Sequence, residues 1–238
     1  MGQDGRVSTS DEASLVPGSA SDVERREAVE ALGDALRELT SRAIGSEVSV
    51  GELRRVTDEA RALAVALAQR QRRLDERPSV DDAHGGRRPF NPVTGAGNPI
   101  APPMRVEIVD GAAIGWCTLD RRYEGPATRA HGGISALLLD QLMGHAAAAA
   151  GHPGVTARLE VRYRATVPLD EPLRLDATLV DVLGVRAAIR GSISLAAAPQ
   201  DALVEAEGRF VALRPEQAAR LFGRAPADPP GGSLRSDR

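Results

Sequence analysis

The sequence contains no lysine: all 30 basic side chains are arginine, set against 33 carboxylates for a net charge of −3. The arginines alternate with acids and form no long basic block, so no nucleic-acid surface is expected. A single cysteine, Cys117, excludes an intramolecular disulfide framework and any site built from several thiolates. It lies in the strand-like stretch "AIGWCTL", where a buried, inert thiol is expected and not a nucleophile. Aromatics are scarce, at three Phe, two Tyr and one Trp, which mildly favours an aliphatic over an aryl ligand. No run approaches the ~20 apolar residues of a membrane span. The opening "MGQDGRVSTSDEAS" has no basic segment leading into an apolar one, and a cytoplasmic location is the expectation.

Composition then changes along the chain. Residues 1–20 are small and polar and are expected to be disordered. Over 21–77, Val29, Leu32, Leu36, Leu39 and Ala43 recur by threes and fours, as do Leu53, Val56, Ala60, Leu63 and Leu67. These are two narrow helical stripes joined through "AIGSEVSVG", a helical hairpin that needs a partner helix or the main domain to pack on. Residues 78–103, with "RPFNPVTGAGNPIAPP", are rich in Pro, Gly and Asn and read as an extended connector. Over 104–213 the pattern is strand, strand, apolar helix, then four strands. The clearest is "VTARLEVRYRATV", where Val155, Ala157, Leu159, Val161, Tyr163, Ala165 and Val167 alternate with polar residues, the mark of a sheet with one covered face. Short connections between long neighbours imply antiparallel pairing, and the class is α+β. Residues 214–238 give a short helix, "PEQAARLF", and a flexible tail.

The triplet His-Gly-Gly occurs twice. At His84 it runs into Arg87, Arg88, Pro89 and Pro92, so no helix can begin there and it reads as a turn. At His131 it opens "HGGISALLLDQLMGHAAAAA", a helix apolar nearly all round, which must be buried and which Gly151 and Pro153 end. One buried helix against a long antiparallel sheet is the hotdog arrangement. The first amides of a helix lack intrahelical partners and face the positive end of its dipole. Two glycines, Gly132 and Gly133, let a ligand atom reach them, as an oxyanion hole requires; the bland alternative is a tight strand-to-helix turn. Asp140 shares a stripe with Gly133, Ala136, Leu137, Met143, Gly144 and Ala147, so Met143 and Gly144 become candidates for substrate contact. An unpaired carboxylate in such a seam is costly, and the alternatives are a satisfied structural Asp and a reactive one. Gly132 and Asp140 stand eight residues apart, about 12 Å along the axis. If both act on one substrate, they come from two protomers with antiparallel facing helices, so an isologous dimer is expected. His84, His131, His145 and His152 form no ligand grouping with acids, so no metal is expected; His145 reads as a core histidine.

With nine residues from His131 to Asp140 and the strand "VTARLEVRYRATVPLDEPL" following, the stretch from about Asn98 to Leu213 resembles the hotdog acyl-CoA thioesterases of the phenylacetate-pathway type and the thioesterase superfamily members. That resemblance implies hydrolysis of an acyl-CoA thioester, with coenzyme A as part of the substrate, no other cofactor, and a homodimer or dimer of dimers. It implies that the Gly132 amide polarises the thioester carbonyl, that Asp140 of the other protomer acts as base or nucleophile, and that His131 braces the turn. Thr156, sixteen residues past the acid, matches a hydroxyl that positions water or the Asp, although strict alternation puts Thr156 on the polar face. Many such proteins carry Asn six residues before the His; here that position is Gly125, with Glu124 and Thr128 as neighbours that could compensate. Arg158, Arg162 and Arg164 line the polar strand face, either as a solvated surface or, at Arg158, against the coenzyme A phosphates. The competing reading is a hotdog protein that binds acyl-CoA or an aromatic acid without turnover. A hydratase lacks a suitably spaced second Asp/His pair, and a Ser-His-Asp triad lacks its nucleophile elbow.

Overall fold

The structure is a computed structural model that describes residues 20–81, 88–214 and 216–217. The expectations for residues 1–19, for the His84 triplet and for most of the C-terminal segment lie outside those residues. Helices α1 (Ala20–Ile44) and α2 (Val50–Ala68) precede β1 (Arg105–Val109), β2 (Ala112–Thr118), a 3-10 turn (Arg121–Tyr123) and α3 (Gly132–Ala149). Strands β3 (Val155–Tyr163), β4 (Pro172–Leu183), β5 (Arg186–Leu195) and β6 (Val204–Val211) complete the order. All neighbours pair antiparallel in the order β1-β2-β4-β5-β6-β3. β3 thus lies at one edge, paired to β6 on one side only. Asp110 and Gly111, both at positive φ, make the two-residue turn between β1 and β2, the geometry that matches strand twist.

Period two decides the sheet's inner face. Leu173, Leu175 and Ala177 of β4, Ala187, Ile189 and Ile193 of β5, and Val204, Ala206 and Phe210 of β6 are buried. The side chains that alternate with them, such as Arg174, Asp176, Arg190, Glu207 and Arg209, are half-buried or exposed on the outer face. α3 covers that face with Leu138, Leu139, Leu142, Met143, Ala146 and Ala147, a pairwise stripe at helical spacing. Each fully buried Leu or Met there contributes roughly 1.5–3 kcal/mol of transfer free energy. The helix comes close to the sheet where side chains are missing. A Cβ on Gly208 would stand 2.7 Å from Met143 Cε, and one on Gly191 would stand 3.1 Å from Met143 Cγ. This is the hotdog fold. The buried surface of α3 covers one side, however, and not the whole circumference: Leu137 is exposed and Asp140 and Gly144 are half-buried along an open flank.

The connector is not a loose extended segment. Val93 and Ala101 are fully buried, Val93 O accepts from Met104 N at 2.9 Å, and Asn91 Nδ2 donates to Gln141 Oε1 on α3 at 3.0 Å. It is a strap over the helix. α1 docks on this strap through Gly33 and Arg37, which lie off its apolar stripe, and through one stripe residue, Val29, which lies against Gly97. Gly33 lies against Ala96 and Gly97, and the buried Arg37 donates to Asn98 O at 2.9 Å and pairs with Asp34. α2 is well capped, with Ser49 and Glu52 in a reciprocal capping box, yet it buries no residue. No helix among the described residues is long and apolar enough to cross a membrane.

Candidate active site

The N-terminus of α3 is built from the residues of the second triplet. His131 is its N-cap at φ −63°, ψ 133°, and its Nδ1 accepts from the Gly133 amide at 3.1 Å. Accepting at Nδ1 leaves the proton of the neutral ring on Nε2. The carbonyl of the same peptide unit, Gly132 O, accepts from the Tyr163 hydroxyl at 2.9 Å. One peptide plane is therefore held at both ends. The Gly132 amide has no partner among the described residues. Its lack of a side chain matters, because a Cβ there would meet the Tyr163 ring at 3.3 Å.

Upstream, the His131 amide donates to Tyr123 O and that of Ala130 to Val167 O, which anchors the turn to the 3-10 turn and to the β3–β4 connection. Glu124 and Thr128 do not reach His131. They bond each other, Thr128 N donating to Glu124 Oε1 at 2.8 Å with Thr128 at φ 64°, and so close the preceding loop. Gly125 belongs to that closure: a Cβ on it would lie 2.9 Å from His131 Cα. The backbone occupies the space an Asn at 125 would need.

Asp140 sits two turns along α3, half-buried, and accepts from Thr156 Oγ1 at 2.7 Å. Strict alternation assigns Thr156 to the outer face; the register explains why it turns inward. Thr156 pairs with Phe210 and the next pair is Arg158 with Arg209, so Ala157 is an extra residue in a β-bulge. Residues directly opposite in an antiparallel pair share a face, and Phe210 faces the core. Below the bulge the pattern resumes, with Leu159 and Val161 partly buried and Tyr163 turned to the helix. Edge strand β3 thus ties α3 at two points, Thr156 to Asp140 and Tyr163 to Gly132.

The remaining candidates fall elsewhere. Met143 is fully buried under β5 and β6 and is a core residue, so the stripe that joined it to Asp140 divides between sheet and open flank. Gly144 lies on that flank, 3.8 Å from Phe210 measured from a Cβ position. Arg158 is exposed, pairs with Glu160 at 2.9 Å and opposes Arg209 on the outer sheet face, away from Asp140. His145 bonds Gln141 at 3.1 Å, and burial, then the nearby Arg88 charge, lowers its pKa below the ordinary histidine value. Burial pushes the Cys117 thiol up to about 12, which keeps it unreactive at neutral pH. No cluster of His, Cys, Asp and Glu that could hold a metal occurs among the described residues. The sequence reading had missed Tyr163 and the Asn91–Gln141–His145 chain. For Tyr163 a signal existed: it is the last inward position of β3 and carries a hydroxyl.

Comparison with known proteins adds a lineage to this geometry. The thioesterase superfamily model matches residues 128–194, a span that takes in the His131 turn, α3 and β3. Among solved structures, one described as a thioesterase superfamily protein is 36% identical, with a TM-score of 0.69, over 82% of this chain and 96% of its own. That share is larger than the sheet and α3 alone make up. Zebra fish thioesterase superfamily member 2 aligns at 16% identity and TM-score 0.43 over 45% of this chain and 80% of that one. A hypothetical thioesterase of Streptococcus pneumoniae, crystallised with coenzyme A, aligns at 21% identity and TM-score 0.42 over 45% and 87%. No curated protein matches.

Proposed function

The chain belongs to the thioesterase superfamily, and from that premise we propose that it hydrolyses an acyl-CoA thioester to the free acid and coenzyme A at a site shared by two copies. The observation that carries this reading is the Thr156–Asp140 hydrogen bond at 2.7 Å. It turns one carboxylate oxygen toward the protein, while the other has no hydrogen bond among the described residues. A charge-assisted bond of this kind fixes the acid's orientation and keeps it an acceptor.

The Gly132 amide and Asp140 lie on one helix, about 12 Å apart along its axis, so one carbonyl cannot touch both within a chain. β3 offers the means to bring them together. It is a nine-residue edge strand, and an unpaired edge is a template for another strand. Edge-to-edge pairing of two β3 strands about a two-fold axis sets each α3 beside its mate, and Gly132 of one copy then faces Asp140 of the other.

In that pocket the Gly132 N–H donates to the thioester oxygen and stabilises the charge that grows there. Asp140 of the mate takes a proton from water as its oxygen bonds to the carbonyl carbon, or bonds to that carbon itself. In the first route collapse of the tetrahedral intermediate breaks C–S and the departing thiolate takes up that proton. In the second, collapse expels the thiolate and leaves a mixed anhydride on Asp140, which water cleaves at the Asp140 carbonyl carbon, freeing the acid and supplying the thiolate's proton. Single turnover in ¹⁸O-water separates the two routes: label enters the acid directly in the first and the Asp140 carboxylate in the second. A panel of substrates from acetyl- to palmitoyl-CoA plus phenylacetyl-CoA, read by release of free thiol, tests the activity itself. Asp140→Asn is expected to lower kcat by about 10²–10⁴ with an unchanged circular-dichroism spectrum. Wild-type protein inert across the panel, while it still binds coenzyme A esters, would make this a binding protein.

A further inference from the structure

The N-terminal hairpin lies outside the proposed site and leaves most of its own apolar residues exposed, with Val29, Leu36 and Val56 half-buried. Val29, Leu32, Leu36, Leu39 and Ala43 of α1 repeat at alternating steps of three and four, and so do Leu53, Val56, Ala60, Leu63 and Leu67 of α2. That spacing is the a/d seam of a helical bundle. None of the ten is buried: Leu63 is 60% exposed, Leu67 51% and Leu32 42%. The segment Ala62–Ala68 is seven apolar residues in succession, all exposed. α1 is held to the strap mainly by Gly33 and Arg37, which lie off its seam, and at the seam's outer end by Val29 against Gly97.

The two seams are also matched. Counting outward from the loop between the helices, Ala43 is level with Leu53, Leu39 with Val56, Leu36 with Ala60, Leu32 with Leu63, and Val29 with Leu67. At the open end, Val29 and Leu67 line one cavity of about 900 Å³ together with Val80 and Phe90. Two five-residue apolar seams, matched in sequence on helices that do not close on each other, are what half of a four-helix core supplies.

We propose that the hairpin of a second copy of this chain supplies the other half, with the two α2 helices antiparallel across a two-fold axis at Ala60. Two features of the sequence select this occupant. The α2 seam reads nearly the same in both directions about Ala60, so Leu53 meets Leu67 of the mate, Val56 meets Leu63, and the small Ala60 side chains meet each other where the helices come closest. Charge agrees: residues 47–59 carry four acids and two Arg, whereas residues 60–73 carry four Arg and no acid. Antiparallel pairing sets the acidic half on the basic half, and parallel pairing would set like on like.

Disulfide trapping of the full-length chain tests the register. Cys117 is half-buried and keeps its proton at neutral pH, so background linkage is low. Ala60→Cys lies on the axis and is expected to form at least roughly tenfold more linked dimer under mild oxidant than Asp58→Cys on the outer face, since only the former meets the distance window of a disulfide. A mixture of Leu53→Cys and Leu67→Cys chains should link more than either alone. Adding Leu63→Asp to the Ala60→Cys chain should remove the linkage while the circular-dichroism spectrum holds. Failure of Ala60→Cys to exceed Asp58→Cys, or self-linkage of Leu53→Cys above its mixture with Leu67→Cys, overturns the proposal. Either result would assign the seam to another partner or another register. The outcome is independent of turnover, so loss of the thioesterase reading would leave it standing.

Discussion

Replacing Gly132 with proline removes one hydrogen atom from the proposed reaction and little else. Gly132 is the first residue of α3, a position where proline's fixed φ suits the helix and its missing N–H costs no internal bond. The residue before a proline must be extended, and His131 already is, at ψ 133°. The added Cβ stands 3.3 Å from the ring of Tyr163, an exposed side chain able to move a few tenths of an ångström. Stability should therefore change by about 1 kcal/mol or less. Loss of a single oxyanion donor lowers kcat by about 10²–10³, some 2.7–4 kcal/mol. Thermal melting and thiol release read the two effects separately. Co-refolding equal amounts of Gly132→Pro and Asp140→Asn chains then tests sharing. Random pairing makes half the dimers mixed, each with one intact centre of two, so about a quarter of wild-type activity should return from two inactive proteins. Undiminished kcat in Gly132→Pro would refute the amide as donor. Two inactive parents with no recovery on mixing would refute the shared centre.

Other expectations can be checked alongside. Thr156→Val frees the Asp140 carboxylate and should lower kcat about tenfold or more, while Thr156→Ser, measured in the same assay, keeps most of it. Tyr163→Phe loses the bond to Gly132 O, worth roughly 0.5–1.5 kcal/mol, and should reduce kcat several-fold with little change in KM. Gly125→Asn should lower the melting temperature, at a cost of about 1–3 kcal/mol, and should not raise activity, since its Cβ collides with backbone at His131. Burial, and then the Arg88 charge, holds the folded pKa of His145 below the ordinary histidine value. The unfolded chain therefore takes up the proton first, and stability should fall as pH drops below about 6.5, a slope in urea midpoints that His145→Gln should flatten.

The sheet and its helix were legible because each obeys one period over many residues. The β3 sequence alternates for nine residues, and α3 is apolar nearly all round for about five turns between a glycine pair and a Gly–Pro stop. What period cannot show is where it breaks. The extra residue at Ala157 rotates Thr156 to the inner face, and nothing in "VTARL" marks the bulge. The same limit applied to Asp140, whose nominal stripe included Met143. Coverage from one side only, set by the missing side chains at Gly191 and Gly208, drew Met143 into the core and left Asp140 at the margin. For α1 the docked face centres on Gly33 and Arg37, chosen by backbone approach and by a carbonyl at Asn98, with Val29 of the apolar stripe also against the strap. Hydrophobicity carries no trace of either.

The peptide between Gly132 and Gly133 is held at both ends. Its carbonyl is held by a phenol and its N–H by an imidazole, so the neighbouring donor takes its aim while the chain folds, before any ligand arrives. That aim lasts as long as α3 and β3 keep their places on the buried core. On warming, such a catalyst should fail abruptly, in step with loss of near-ultraviolet dichroism, and not fade beforehand as a loosely tethered loop would.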